Sequence, residues 1–428
     1  MRRVFSSLSV LNYRIYFTGN TISFIGQWTA RTAQSWLVYA VLTAQSASAL
    51  GLVNALAFVP GLLLSPWAGT LADRFPKRRL IIIAESILGV DALMLATLTL
   101  TGHVQLWMVF AIALIDGCAS TLEAPARQAI VSEIVPLEQV PNAISLNSAS
   151  FNAARALGPG IGGLLIAAVG TGPVLAINVL AFASTIIAVS RMHADQMQRV
   201  PRASDTSLMA GVRYVRSRPD LMLLMFVVMA VGGLGFNFAV SNAAMAKVEF
   251  GLGPGEFGAL GSLLGVGAVT AALASAVRGG SRMRHLLIGM GGYCAFSLAA
   301  ALSPSYWIFA LLQIPVGLFA VTTLVGGNSM LQTRSSPEMR GRVMSFWNMV
   351  QMGTTPLAML AVGWLGDALG PRYTVHFGVW VVGLALVIAT IAFMRSNEMR
   401  IRLDYHRPLP RFWLDRGIVT EDMAERPR

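Results

Sequence analysis

Cysteine and charge are what this sequence has least of. Its two cysteines among 428 residues, Cys118 and Cys294, both fall inside apolar runs, which excludes a disulfide framework. Five histidines, His103, His193, His285, His376 and His406, are scattered without zinc-ligand spacing, so no metal site is expected. Charged residues make up 12% of the chain, about half the share in ordinary soluble domains. There is no G-x-x-x-x-G-K-[ST] string, which excludes an ATP site of this familiar kind. Ser120 beside Asp116 and Glu123 is too generic to make a nucleophile and base. Neither an enzyme nor an organic cofactor is expected.

What the sequence has instead is apolar length. Hydrophobic residues make up 55% of it, gathered in runs of about twenty, enough to cross ~30 Å of hydrocarbon as helix. This pattern predicts an all-α polytopic membrane protein. Twelve spans are expected, at roughly 15–42, 49–71, 80–101, 103–125, 143–169, 173–192, 220–243, 256–277, 285–302, 305–327, 341–366 and 372–394, with charges at their very ends counted to the adjoining side. Of 32 Lys and Arg residues, 28 then lie on the side of the termini, leaving Lys247 and Arg372 on the far side and Arg31 and Arg155 within spans. That bias places both termini in the cytoplasm. The net charge of +12 is therefore orientation information, and no nucleic-acid partner is expected. Lipid surrounds the spans, and MRRVFSSLSV is expected to enter the first of them without a cleaved signal.

The runs divide into two sets. Residues 1–192 form the expected N-terminal six-helix bundle, 193–219 a cytoplasmic linker, 220–394 the C-terminal bundle and 395–428 a cytoplasmic tail. Shifted by 206 positions, AGTLADRFPKRRL meets ASAVRGGSRMRHL, so that Arg78 falls on Arg284 but Asp73 on Gly279. This internal repeat supports related halves. Within the linker, LMAGVRYVRSRP has the spacing of an amphipathic surface helix.

Ionisable groups inside spans mark ion or substrate routes, or compensate one another. Arg31, Asp91, Asp116 and Arg155 are such groups. Arg31 lies ~20 Å from the cytoplasmic entry of its helix, too deep to snorkel. Asp116, Ser120, Glu123 and Arg127 share one helical stripe, and Glu123 and Arg127 have the order of an i,i+4 ion pair. Asp116 is the expected proton exchanger with Arg31 as its charge partner; a permanent ion pair between them is the alternative. Glu123 is the reserve carrier. The possible cavity lining is Gln27, Gln34, Asn147, Asn237, Asn242, Gln313, Asn328, Trp347 and Gln351.

Between the second and third spans, GTLADRFPKRR resembles the signature loop of the major facilitator superfamily. Gly69, Asp73, Arg74 and Arg78 or Arg79 fall on its usual positions, with Pro76 in place of the commoner glycine. Glu85 is expected to reach this loop, which the resemblance implies is a cytoplasmic gate. In the fifth span, Arg155, Gly158, Pro159, Gly162 and Gly163 resemble the helix-five motif of exporting branches. ARTAQSWLVY, VPLEQVPNAISLNS and PEMRGRVMS are similar to the branch containing the enterobactin exporter and macrolide-efflux proteins. The resemblance implies two six-helix bundles and a monomeric secondary exporter in a bacterial inner membrane. It would move an amphipathic small molecule, a drug or siderophore, by alternating access in exchange for protons. An uptake carrier of the same fold is the alternative, followed by a membrane enzyme or a non-transporting scaffold.

Overall fold

The computed structural model describes residues 5–193, 197, 208–277, 281–396, 399–404 and 411–416. The first half contains α1 (Leu11–Trp36), α2 (Ala47–Arg74), α3 (Lys77–Leu100), α4 (Leu106–Ile134), α5 (Val140–Val169) and α6 (Thr171–Ser190). A short α7 (Leu208–Arg216) leads into a broken column made of α8 (Pro219–Val228), the π-helical residues Met229–Gly235, α9 (Phe238–Ala244) and the π-helical residues Met245–Glu249. The chain continues through α10 (Pro254–Val277), α11 (Met283–Ala301), α12 (Tyr306–Arg334), α13 (Pro337–Leu369) and α14 (Pro371–Ser396).

Local chemistry sets the boundaries. Pro76 follows α2, while Pro219, Pro337 and Pro371 open helices, where a missing N–H costs nothing. Ser46 caps α2 by accepting from the Ala49 backbone N–H at 3.1 Å. The connections α5–α6 and α13–α14 each turn on one glycine at positive φ, Gly170 at 83° and Gly370 at 108°. Nine of the described columns are long and apolar enough to cross a membrane. Helices α1, α11 and α13 fall short of that composition, yet they pack among the others as integral members.

Helix neighbours repeat from one half to the other. In the first, α1 packs on α5 and α6, α3 on α4 and α6, and α2 on α4. In the second, the broken column packs on α13 and α14, α11 on α12 and α14, and α10 on α12. The halves meet along two further pairs, α2 with α13 and α5 with α10. One apolar cluster joins them at the end remote from the termini, bringing Trp36, Leu50 and Val53 together with Val240, Phe257, Phe309 and Val362. Trp36 and Phe257 stack there at 5.7 Å. Toward the terminus end the core is separate, with Tyr13, Ile81, Ile130 and Val189 in the first half and Leu221, Met283, Leu331 and Val343 in the second.

Helix α7 is docked on the second half. Val215 is buried, and the Tyr214 hydroxyl accepts from the Ser336 backbone N–H at 3.2 Å. The tail contains an antiparallel hairpin that the sequence reading missed, β1 (Met399–Asp404) with β2 (Arg411–Arg416), Met399 standing opposite Arg416.

Candidate functional site

The cross-half seam is built on small residues. Gly158 and Gly162 lie against α1 at Trp28 and Thr29, and Gly163 lies against Gly258 of α10. A Cβ on Gly163 would fall 2.8 Å from the Gly258 Cα, so no side chain fits without parting the helices. Pro159 lies inside the helix at this point and removes one backbone donor. The Gly160 N–H donates to Ser262 Oγ of the other half at 2.8 Å. The helix-five motif is thus at once a packing seam and a contact between halves.

At the same remote end the two halves are latched. Asp367, near the end of α13, accepts from the Ala47 N–H at 2.6 Å, the Ser48 N–H at 3.0 Å and the Ser46 hydroxyl at 3.0 Å. Its charge meets the positive end of α2. Burial opposes ionisation of Asp367, but these hydrogen bonds outweigh it and hold its pKa below the usual carboxylate value. The sequence reading above gives Asp367 no role. The signal available was an acid one turn before Gly-Pro at a helix end, facing a Ser-capped helix start.

At the terminus end the basic loop is short, because α2 runs on to Arg74 and α3 starts at Lys77. Lys77 pairs with Glu133 at 2.9 Å, and Arg78 donates to the Ser190 carbonyl. Both contacts stay within the first half. Arg74 and Arg79 are exposed. A Cβ built on Gly69 would meet nothing within 4 Å. The Asp73 side chain and its repeat counterpart Gly279 lie outside the described residues. The expected reach of Glu85 to this loop is not what the fold makes. Glu85 sits two turns into α3, fully buried, and pairs with Arg127.

Arg127 is the centre of a buried network. Its guanidinium contacts Glu85, Glu123 and the Asn20 side-chain oxygen, and its Nε donates to Glu123 at 2.9 Å. Asn20 in turn donates to Asn147 at 2.7 Å. Helices α1, α3, α4 and α5 are tied through one cation, and the predicted Glu123–Arg127 pair is part of the knot. Two carboxylates against one guanidinium leave the network one negative charge in excess if both are ionised.

Deeper along the first half lies a second charged group. Arg31 is exposed although it lies well inside α1; its guanidinium stands 5.5 Å from the centre of the Trp28 ring and interacts electrostatically with Asp116 on α4. Arg31 and Asp116 form no ion pair within 4 Å among the described residues, so the alternative of a permanent pair is not what is found. Asp116 and the buried Asp91 are close enough to interact electrostatically, and Asp91 Oδ2 accepts no hydrogen bond. Arg155, midway along α5, stacks across the halves on Phe236 at 4.9 Å and leaves Nη2 without a hydrogen bond.

The second half contributes fewer groups than expected to an open cavity. Trp347 is a core residue, 4% exposed, because α13 folds it against the broken column. Asn237, Asn242 and Gln313 are each 3–4% exposed and line a small cavity within the second half. Gln27 receives no long-range partner and donates to Ser23 at 3.0 Å; Asn328 accepts from Gln332 at 2.6 Å. Gln34, Asn147, Asn328 and Gln351 are half-buried.

The chain belongs to the transmembrane secretion effector family of the major facilitator superfamily, whose model matches residues 3–414. It is a secondary transporter, not an enzyme, and a multi-pass membrane protein. It is 23% identical over 404 residues to the staphyloferrin A transporter of Staphylococcus aureus, covering 91% of this chain and 98% of the relative. With the enterobactin exporter EntS of Shigella flexneri it shares 26% identity over 340 residues, 77% of this chain and 80% of that one. Among solved structures it resembles the inward-facing, occupied bacterial homologue of the lysosomal transporter Spinster, with a TM-score of 0.69 at 15% identity, over 89% of this chain and 97% of that one.

Proposed function

We propose that this protein exports an amphipathic small molecule, a siderophore, drug or related metabolite, from the cytoplasm of a bacterium through the inner membrane, in exchange for protons. The observation that carries this reading is the asymmetry of the joint between the halves. Apolar core, glycine seam and the Asp367 latch all gather at the end remote from the termini, while Lys77 and Arg78 of the basic loop bind their own half. With the termini in the cytoplasm, as the positive-inside bias supports, the joint is open toward the cytoplasm, which is the loading state in the export reading. The relatives named for siderophore transport and export support the substrate class.

The work divides between the halves, residues 1–192 and 220–394, with 193–219 as the linker and 395–428 as a cytoplasmic tail. Substrate enters between them beside Arg31, Trp28 and Phe151, the last 39% exposed. The halves then rock; Gly69 and the cations of the basic loop close the cytoplasmic side, and the Asp367 latch releases. Neighbouring carboxyls such as Asp91 and Asp116 cannot both ionise without repulsion, which suits them to holding one proton between them. Arg31 sets the cost of that proton's departure. Each proton returning down 100 mV contributes about 2.3 kcal/mol to the cycle. The chain works as a monomer, with lipid as its surroundings and no organic cofactor.

Inverted membrane vesicles test the direction. Substrate accumulation inside them, driven by an imposed proton gradient and abolished by collapsing it, is the expected result. Accumulation only in right-side-out cells would make the protein an uptake carrier.

A further inference from the structure

Inside the second half, where the broken column is interrupted between Gly235 and Phe238, the helices leave a small cavity. The centre of a water-sized sphere has about 20 Å³ to move in, enough for one small occupant. Three residues lining it, Asn237, Asn242 and Gln313, each have a buried side-chain amide oxygen that accepts no hydrogen bond. The Asn237 orientation is fixed by its own Nδ2, which donates to the Leu234 carbonyl at 2.5 Å. Its oxygen is therefore the free end. Ser241, which donates to the Thr374 carbonyl at 3.2 Å, lines the same space with hydroxyl lone pairs to spare.

Buried acceptors without donors require positive charge or hydrogen to meet them. One water brings two hydrogens to three amide oxygens. A cation meets all of them at once. The donors are hard neutral oxygens, which suit a hard ion, and no carboxylate lines the cavity to balance a divalent one. Interrupted membrane helices place such oxygens and the carbonyl end of a half-helix together, and this is how transporters hold coupling ions near mid-membrane. We propose that this cavity is a monovalent cation site and that sodium occupies it.

The site would not be a passive filler. Asn237 follows Phe236, on which Arg155 of the other half stacks at 4.9 Å. Phe309 and Val362 line the cavity and also belong to the apolar cluster joining the halves. An ion that clamps the break therefore stiffens the remote-end closure.

The test is equilibrium binding of radioactive sodium to the full chain in detergent, with choline chloride holding ionic strength constant. Saturable binding of one ion per chain is expected, weakened at least about tenfold in Asn242→Ala and in Gln313→Ala, with Gln332→Ala unchanged. Gln313→Glu conserves volume and adds a charge; at pH 8 it should bind sodium more tightly, which keeps the proposal testable if the alanine variants fold poorly. Absence of saturable sodium binding in the wild type, or binding untouched by all three cavity variants, would mean the cavity holds water only. Either failure would leave the export reading standing, because that reading makes no use of this cavity.

Discussion

The carboxylate of Asp367 accepts the backbone N–H of Ala47 at 2.6 Å, joining the end of α13 to the start of α2 across the two halves. Asp367→Asn keeps the shape and removes the charge. The carboxylate is exposed, so the loss in closure should be modest, about 1 kcal/mol. A cysteine placed at the remote end should become more reactive to a membrane-impermeant thiol reagent in this variant.

The same latch has a defined pH dependence. A carboxyl whose folded pKa is depressed contributes stability that is present above its unfolded value, about 3.9, and lost as pH falls through the folded one. Remote-end reactivity should be flat between pH 7 and 5 as far as this latch is concerned, and rise only below about pH 4. A rise centred near pH 6 would show that another group holds the closure.

Arg127 carries the buried network alone. Arg127→Met strands Glu85 and Glu123 without a counter-charge and should destabilise the protein by about 3–5 kcal/mol, seen as a lower unfolding temperature in detergent or as loss of folded protein. Glu85→Gln leaves one carboxylate with one guanidinium and should cost much less. Equal losses in the two variants would contradict the charge account.

Gly163 faces Gly258 with no room for a Cβ. Gly163→Val should part α5 from α10, raise remote-end thiol reactivity and reduce transport, without loss of the first half's own packing. Unchanged reactivity would show that the seam is not a closure element.

Much of this was legible because it is local. Hydrophobic run length locates the columns, proline and glycine punctuate them, and i,i+4 spacing gives the Glu123–Arg127 pair. What was hidden depends on rotation and on which half meets which. By sequence proximity Glu85 belongs to the nearby loop, but the rotation of α3 turns it to Arg127. Asn237, Asn242, Gln313 and Trp347 read as cavity lining, because polar or aromatic residues in a span look alike whether they face an open path or a closed pocket. The Asp367 latch joins positions more than 300 apart in sequence, which no periodicity reports. The direction in which the joint opens is likewise a property of contacts between halves.

The central claim is that substrate and proton compete through the Asp91–Asp116 pair. The measurement that tests it most directly is proton release from the detergent-solubilised protein on adding a panel of siderophores and amphipathic drugs, wild type beside Asp116→Asn. The account predicts release in the wild type and none in the variant, with the same compound still bound. Binding with no release in the wild type, or equal release in both, would contradict it.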